Sequence, residues 1–273
     1  MTRIAVLGAS GRMGRTLIRL IDQAPALALV GATVRPGREA EGQDAGLLAG
    51  TGNMGVRTTA SAATALADAE VAIDFTLPVA LDTNLAAAMA AACPLVIGTT
   101  GVAAGGIAAI DAAARSLPLV YAANYSSGVT LLQRLVRTAA AALDSDYDAE
   151  ILETHHRHKR DAPSGTARAL GQCIADGRGV DLASSAIDAR EGETGPRPPG
   201  SIGFQSLRGG DIVGEHTVMF AGDGERIELS HRAESRETFA RGALRAARWL
   251  TTQPAGRYDM EDVLGLRGRD HER

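Results

Sequence analysis

Three histidines and a lysine crowd into His155-His156-Arg157-His158-Lys159, and Arg160-Asp161-Ala162-Pro163 leads from them into Ser164-Gly165-Thr166. Histidine changes charge near neutral pH, so it can give or take a proton there, and a neighbouring cation helps an anionic substrate to dock. Ser164, Gly165 and Thr166 open a helix, where backbone N–H groups and small hydroxyls form a nest suited to a carboxylate. Lys159 is the one lysine of the chain; every other basic side chain is arginine. Ammonium and guanidinium are not interchangeable at a site, so a lysine kept here argues for a specific contact and against a merely solvated basic loop. The group reads as a site for a small acidic substrate that accepts a proton. Metal is not expected: on a strand His155 and His156 diverge, only His156 and His158 share a face, and no Cys, Asp or Glu completes an obvious ligand set.

A second group lies at the amino end. Gly8-Ala9-Ser10-Gly11-Arg12-Met13-Gly14 follows a strand-like run and precedes a helical one. In that context its glycines permit a tight turn and let backbone N–H groups approach a pyrophosphate at a positive helix end, although the spacing is G-x-x-G-x-x-G and not the commoner G-x-G-x-x-G. The next strand ends Thr33-Val34-Arg35-Pro36. Arg35 stands where an acid often holds the adenosine ribose, so it either meets a 2′-phosphate, favouring NADPH, or is a solvated loop arginine. Gly98-Thr99-Thr100-Gly101 and Ala122-Ala123-Asn124-Tyr125 follow later strands, where doubly wound sheets place ligands; the first offers a close backbone approach with hydroxyls.

These groups need elements to hold them. Short apolar runs at 4–7, 27–34, 71–75, 95–97 and 119–122 alternate with helical stretches at 15–22, 79–92 and 106–115, the rhythm of βαβ units in a parallel sheet. The pattern then changes. A helix over 130–143, a strand over 149–154 and a helix over 165–175 precede a Gly/Pro-rich stretch, 190–200, that reads as a long mobile loop. Three antiparallel-looking strands are expected at 201–207, 214–221 and 226–232, with a helix over 237–250 as the last clear element.

Composition narrows the partners. With 273 residues, one large or two moderate domains are expected. Net charge is -4, without the basic excess of a phosphate-backbone binder, so nucleic acid is an unexpected partner. Cys93 and Cys173 are far apart and flanked by apolar or small residues, reading as buried thiols of a cytoplasmic protein. No apolar stretch is long enough to span a bilayer, and no signal-like segment follows Met1.

The Gly8 to Gly14 turn, Gly98-Thr99-Thr100-Gly101, Ala122 to Ser126, the run Glu153 to Thr166, Arg208-Gly209-Gly210 through Gly214-Glu215-His216, and His231 through Arg236 together resemble the 4-hydroxy-tetrahydrodipicolinate reductase family. The resemblance implies an α/β fold: a Rossmann-like, doubly wound parallel sheet over 1–126 and 235–273, and a smaller α+β domain over 127–234, with a mixed, open sheet, for substrate binding and assembly of a homotetramer. It implies closure between the domains and reduction of a small dicarboxylate cyclic imine with NADPH or NADH. His155 would donate the proton and Lys159 would bind and polarise the substrate, while His156, Gly165 and Thr166 would hold its carboxylates. Gly8, Ala9, Ser10, Gly11, Arg12 and Met13, with Gly98, Thr99 and Thr100 and with Ala122, Ala123, Asn124 and Tyr125, would line the nucleotide. Members that use NADH well tend to carry an acid just before the arginine matched by Arg35; Val34 stands there, which weighs against strong NADH use.

Overall fold

The computed structural model describes residues 1–143 and 145–267. The chain divides into two compact units, Met1–Ser127 with the segment from Glu237 onward, and Gly128–Arg236. The expected final domain segment, 235–273, runs into residues 268–273, which lie outside those described.

In the first unit six strands, β1 (Thr2–Leu7), β2 (Leu27–Thr33), β3 (Val71–Asp74), β4 (Leu95–Ile97), β5 (Pro118–Tyr121) and β11 (Gly256–Tyr258), form one sheet in the order β11-β5-β4-β3-β1-β2. Every neighbouring pair is parallel. Parallel strands buried on both faces read as unbroken apolar runs, which is why they were visible in the sequence. Alternation sorts β1 between two cores. Ile4 and Val6 pack with Leu17, Ile18 and Ile21 of α1 (Arg12–Asp22) and with Ala243, Ala247 and Leu250 of α9 (Glu237–Leu250). Ala5 and Leu7 face the other way, toward Leu81 and Leu85 of α4 (Leu81–Ala90) and Ile110 and Ala113 of α5 (Ala104–Ala113).

Two short helices, α2 (Ala45–Ala49) and α3 (Ala62–Leu66), escape periodicity because five residues do not complete two turns; their caps, Asp44 and Ser61, each accept backbone N–H bonds. The expected last element is corrected. Beyond α9 the chain adds β11, the outer strand of the sheet, and α10 (Met260–Leu264). Gly256-Arg257-Tyr258 carries no apolar run, so pairing with β5 alone makes it a strand.

In the second unit the sheet order is β10-β9-β6-β8-β7, with β6 (Asp148–His155) central, β7 (Ala186–Ile187), β8 (Ile202–Arg208), β9 (Gly214–Gly222) and β10 (Glu225–Ala233). Helices α6 (Ser127–Ala142), α7 (Gly165–Arg178) and α8 (Leu182–Ser185) accompany these strands. One expectation fails: β8 is not antiparallel to its neighbour but parallel to β6, because the chain returns through α7 as a crossover, and β9 takes the antiparallel place on the other side of β6. Leu170 and Ile174 of α7 pack on Ile151, Phe204, Val218 and Phe220. The 190–200 stretch lacks regular structure, yet it is tied down. Arg190 grips Glu150 of β6 through two bonds of 2.7 and 3.0 Å, and Arg197 reaches Glu150, Asp148 and the Ser201 carbonyl. Those bonds tether the stretch to β6 at Arg190 and Arg197.

Candidate active site

All strands of the first sheet run one way, so the segments that follow β1, β2, β4 and β5 gather at its carboxyl end. Gly8 leaves β1 with φ +89, a left-handed conformation natural to glycine. Gly11 caps α1 without any side-chain bond to the helix, so its first N–H groups remain for a ligand. A Cβ on Gly14 would stand 2.3 Å from the Gly8 carbonyl oxygen and 2.7 Å from the Ala9 Cα. Turn and helix can approach so closely only without a side chain there. This uncapped, positive helix end against a narrow turn fits the pyrophosphate of a dinucleotide.

Arg35 is exposed two residues beyond β2, behind buried Val34. Ser10, Gly11, Arg12, Thr100 and Ala123 are exposed, whereas Ala9 is buried. Two nominated side chains point elsewhere. The fully buried Thr99 hydroxyl turns to Asp74 and to the Thr76 carbonyl, at 3.5 and 3.3 Å. The buried Tyr125 hydroxyl donates to the carbonyls of Ile97 and Val120. Thr99 and Tyr125 thus shape the loops from beneath and offer a ligand only backbone. Asp74 carries this support: its carboxylate also accepts from the Thr76 N–H and the Asn84 amide, tying the end of β3 to α4.

The second unit holds the titratable groups. His155 closes β6, and its Nδ1 donates to Glu153 Oε2 at 2.5 Å. Glu153 is 1% exposed and takes two 2.8 Å bonds from the Arg208 guanidinium and one of 3.1 Å from the Ser164 N–H. Burial alone would raise this carboxyl, but hydrogen bonds from Arg208, Ser206 and His155 bring it down to about 2. His155 lies below the usual histidine value because burial disfavours its cation, with Lys159 and Arg208 adding repulsion and Glu153 opposing both. Edge-on to it, with ring centroids 5.1 Å apart, stands His216 of β9, which burial pushes down to about 4.

Ser164 caps α7 by accepting from the Ala167 N–H, and its hydroxyl lies 3.0 Å from His216 Nε2. Which of the two donates follows from the tautomer of the neutral His216 ring. Gly165 and Thr166 follow as the first residues of α7. Lys159, 19% exposed, pairs with Asp161 at 2.9 Å. His156 Nε2 accepts from Arg236 at 3.2 Å, and its ring stands 6.3 Å from that of His158. The structure therefore joins His155, Lys159, Ser164 and Gly165 through Glu153, Arg208 and Asp161. An acid, a cation and a helix amino end share one unit, equipment for protonating a bound carboxylate-bearing substrate.

Residues 2–125 match the family model described as dihydrodipicolinate reductase, N-terminus, and residues 128–264 match its C-terminus counterpart. The chain belongs to the dihydrodipicolinate reductase family. The 4-hydroxy-tetrahydrodipicolinate reductase of Alkalilimnicola ehrlichii is 55% identical over 265 residues, which are 97% of this chain and 99% of that relative. The enzyme of the same name from Halorhodospira halophila is 51% identical over 263 residues, 96% of this chain and 98% of that one. Among solved structures, the dipicolinate-bound dihydrodipicolinate reductase of Paenisporosarcina sp. TG-14 shares the fold, with TM-score 0.74 at 23% identity over 95% of this chain and 97% of that one.

Within this dihydrodipicolinate reductase fold, Glu153, Asp161, Arg208, His216 and Arg236 had no role assigned from sequence. Glu153 carried a usable signal, since residues two apart on a strand share a face. Arg208 and His216 stand in a run that carries the family resemblance, but no local spacing ties them to the histidine cluster: they reach His155 and Glu153 by the pairings His155↔Arg208 and Glu153↔His216.

Proposed function

We propose that this chain reduces 4-hydroxy-2,3,4,5-tetrahydrodipicolinate to 2,3,4,5-tetrahydrodipicolinate with loss of water, in lysine and diaminopimelate biosynthesis. The observation that carries this reading is His155, clamped on a buried carboxylate in the same unit as Lys159 and the α7 amino end, in a chain half identical to enzymes of that name. A bound nicotinamide nucleotide supplies the hydride. Gly8 to Met13 hold its pyrophosphate, and Gly98 to Thr100 and Ala122 to Tyr125 line it.

His156 and the Gly165 and Thr166 end of α7 hold the substrate carboxylates. Lys159 exchanges Asp161 for the substrate and offsets charge developing on its ring nitrogen or carboxylate. His155 would give its proton to the electron pair left on the conjugated ring once that ring, after loss of water, had taken up the hydride. Arg35 favours NADPH, with NADH as a second donor.

Leu152 of β6 and Leu207 of β8 lie on the sheet face away from α7 and are 38% and 55% exposed, which suits assembly of a homotetramer through that face. No helix among the described residues is long and apolar enough to cross a membrane, and both cysteines are buried and unbridged, in keeping with a cytoplasmic enzyme. Nucleic acid has no part in this reading. The test is a coupled assay with freshly generated substrate, following nicotinamide absorbance. Substrate-dependent oxidation is expected with both nucleotides, faster with NADPH at low concentration. Nucleotide binding without oxidation of either would overturn the assignment.

A further inference from the structure

A histidine that donates a proton can do so from either ring nitrogen, and only one can face the substrate. In this protein the two nitrogens of His155 meet opposite surroundings. Nδ1 donates to Glu153 at 2.5 Å, whereas Nε2 makes no hydrogen bond among the described residues and lies beside Gly214. A Cβ built on Gly214 would stand 3.0 Å from Nε2 and 3.3 Å from the adjoining ring carbon. Gly214 is buried and its φ is outside the left-handed region, so the backbone there would accept any L residue. A side chain there would press on the imidazole, which would have to give by a few tenths of an ångström.

The far side of Glu153 is equally committed. Arg208 occupies both carboxylate oxygens, the Ser164 N–H adds a third bond, and Arg208 also donates to the Asp161 carbonyl at 2.7 Å. A buried carboxylate so clamped stays ionised and can only accept, and the tautomer of a histidine follows from the hydrogen bond that its other nitrogen makes. We infer that Arg208, Glu153 and Gly214 are positioning residues that confine the exchangeable proton of His155 to Nε2. Arg208 locks the carboxylate, the carboxylate holds Nδ1–H, and Gly214 keeps Nε2 clear. This rests on the proton-donor role proposed above. Neutral His155 then carries its hydrogen on Nδ1 with a bare Nε2; the charged ring adds one proton at Nε2, and that proton is the one transferred.

The charged and titratable groups facing the ring are Glu153 on its own strand, Lys159 in the following loop, Arg208 of β8 and His216 of β9. Among these only Glu153 favours the imidazolium. Its neutralisation therefore moves the basic limb of the kcat profile to lower pH.

The test begins on the resting enzyme, with 15N-labelled histidine and the His155→Gln variant to assign the signal. Above the His155 titration, wild-type protein is expected to show Nδ1 protonated and Nε2 bare; the reverse tautomer overturns the inference. Because this readout needs no substrate, it stands even if the reductase reading fails. Gly214→Ala should keep that tautomer and the nucleotide KM while kcat falls about threefold or more, since the ring must give by a few tenths of an ångström and displacement of a reacting atom by about 1 Å can cost a hundredfold. Wild-type kcat in Gly214→Ala removes Nε2 from the transfer. Glu153→Gln, if folded, should lower kcat at least about tenfold and shift the basic limb downward, whereas Glu153→Asp retains the charge and the limb. A folded Glu153→Gln with an unmoved limb would contradict the role of the carboxylate. If it does not fold, the wild-type tautomer and Gly214→Ala still decide.

Discussion

A cation in a closed site is judged by its shape as well as its charge. Lys159 presents a compact ammonium, mostly buried against Asp161, where arginine would bring a longer planar fork. Lys159→Arg preserves the charge in a chain that uses arginine everywhere else. The larger head should displace the substrate, and kcat/KM is expected to fall at least about tenfold with NADPH binding intact. Wild-type steady-state kinetics would return Lys159 to a solvated loop. Arg35 poses the complementary question at an exposed position. A charge-assisted contact to a 2′-phosphate is worth about 1.5–3 kcal/mol, so Arg35→Ala should raise KM for NADPH roughly tenfold or more and leave KM for NADH nearly unchanged. Equal weakening of the two cofactors would place Arg35 away from the ribose.

The turn between β1 and α1 shows how an element is positioned by an absent side chain. A methyl at Gly14 would meet backbone of Gly8 and Ala9, neither of which can rotate away as a side chain could. Overpacking of this kind costs about 1–3 kcal/mol. Gly14→Ala should therefore lower Tm by several degrees and weaken NADPH binding at least about tenfold as α1 lifts from the turn. Gly105, in the first turn of α5 with nothing near its Cβ position, is the control: Gly105→Ala should leave both unchanged. Thermal melts with and without nucleotide make the comparison. If the two variants behave alike, close packing of the turn is not what holds the nucleotide end.

For the whole molecule, the buried groups around His155 set the response to acid. His216 titrates at about 4 in the folded protein against the usual 6.5, so below pH 6.5 the unfolded chain takes a proton that the folded one refuses. Stability is lost as pH falls through that window, by about 3 kcal/mol at most. Glu153 titrates at about 2 against the usual 4.5, so the unfolded chain again binds the proton first and a second loss begins below pH 4.5. Urea midpoints should stay level down to about pH 7, decline below 6.5 and fall faster below 4.5; in His216→Gln the upper part of the decline should be shallower. A level curve to pH 4.5 would mean that His216 protonates freely in the folded state. Assembly is tested on the outer face of the second sheet. Wild-type protein should elute with light-scattering mass of four 28.2 kDa chains, and a Leu152→Asp, Leu207→Arg double variant should dissociate. A tetramer that survives both charges is not built on that face.

Local chemistry was legible without a structure. The Gly-rich turn after β1, the apolar runs of the parallel sheet, the capped start of α7 and the bounds of α9 depend on neighbours in sequence and on the periods of strand and helix; the structure has each of them, with α1 starting at Arg12, inside the glycine run, and strand ends a residue or two from those expected. The His155 to Thr166 cluster was equally visible as a group of residue types. Its internal geometry was not. Arg208 meets Glu153 across 55 residues, and His216 meets Ser164 across 52. Their run carries the family resemblance, but no local spacing tells which groups those two side chains meet; the crossover through α7, which sets β8 parallel to β6 and leaves the opposite edge to β9, brings them together. The same holds for Thr99 and Tyr125, whose hydroxyls were free to face a ligand until packing turned them inward, and for β11, which becomes a strand by pairing with β5. Propensity and periodicity are properties of a short segment, so the sequence alone determined which residues could do the chemistry. Burial and long-range pairing belong to the closed chain, so only the tertiary structure decided which nitrogen, which carboxylate and which guanidinium stand together.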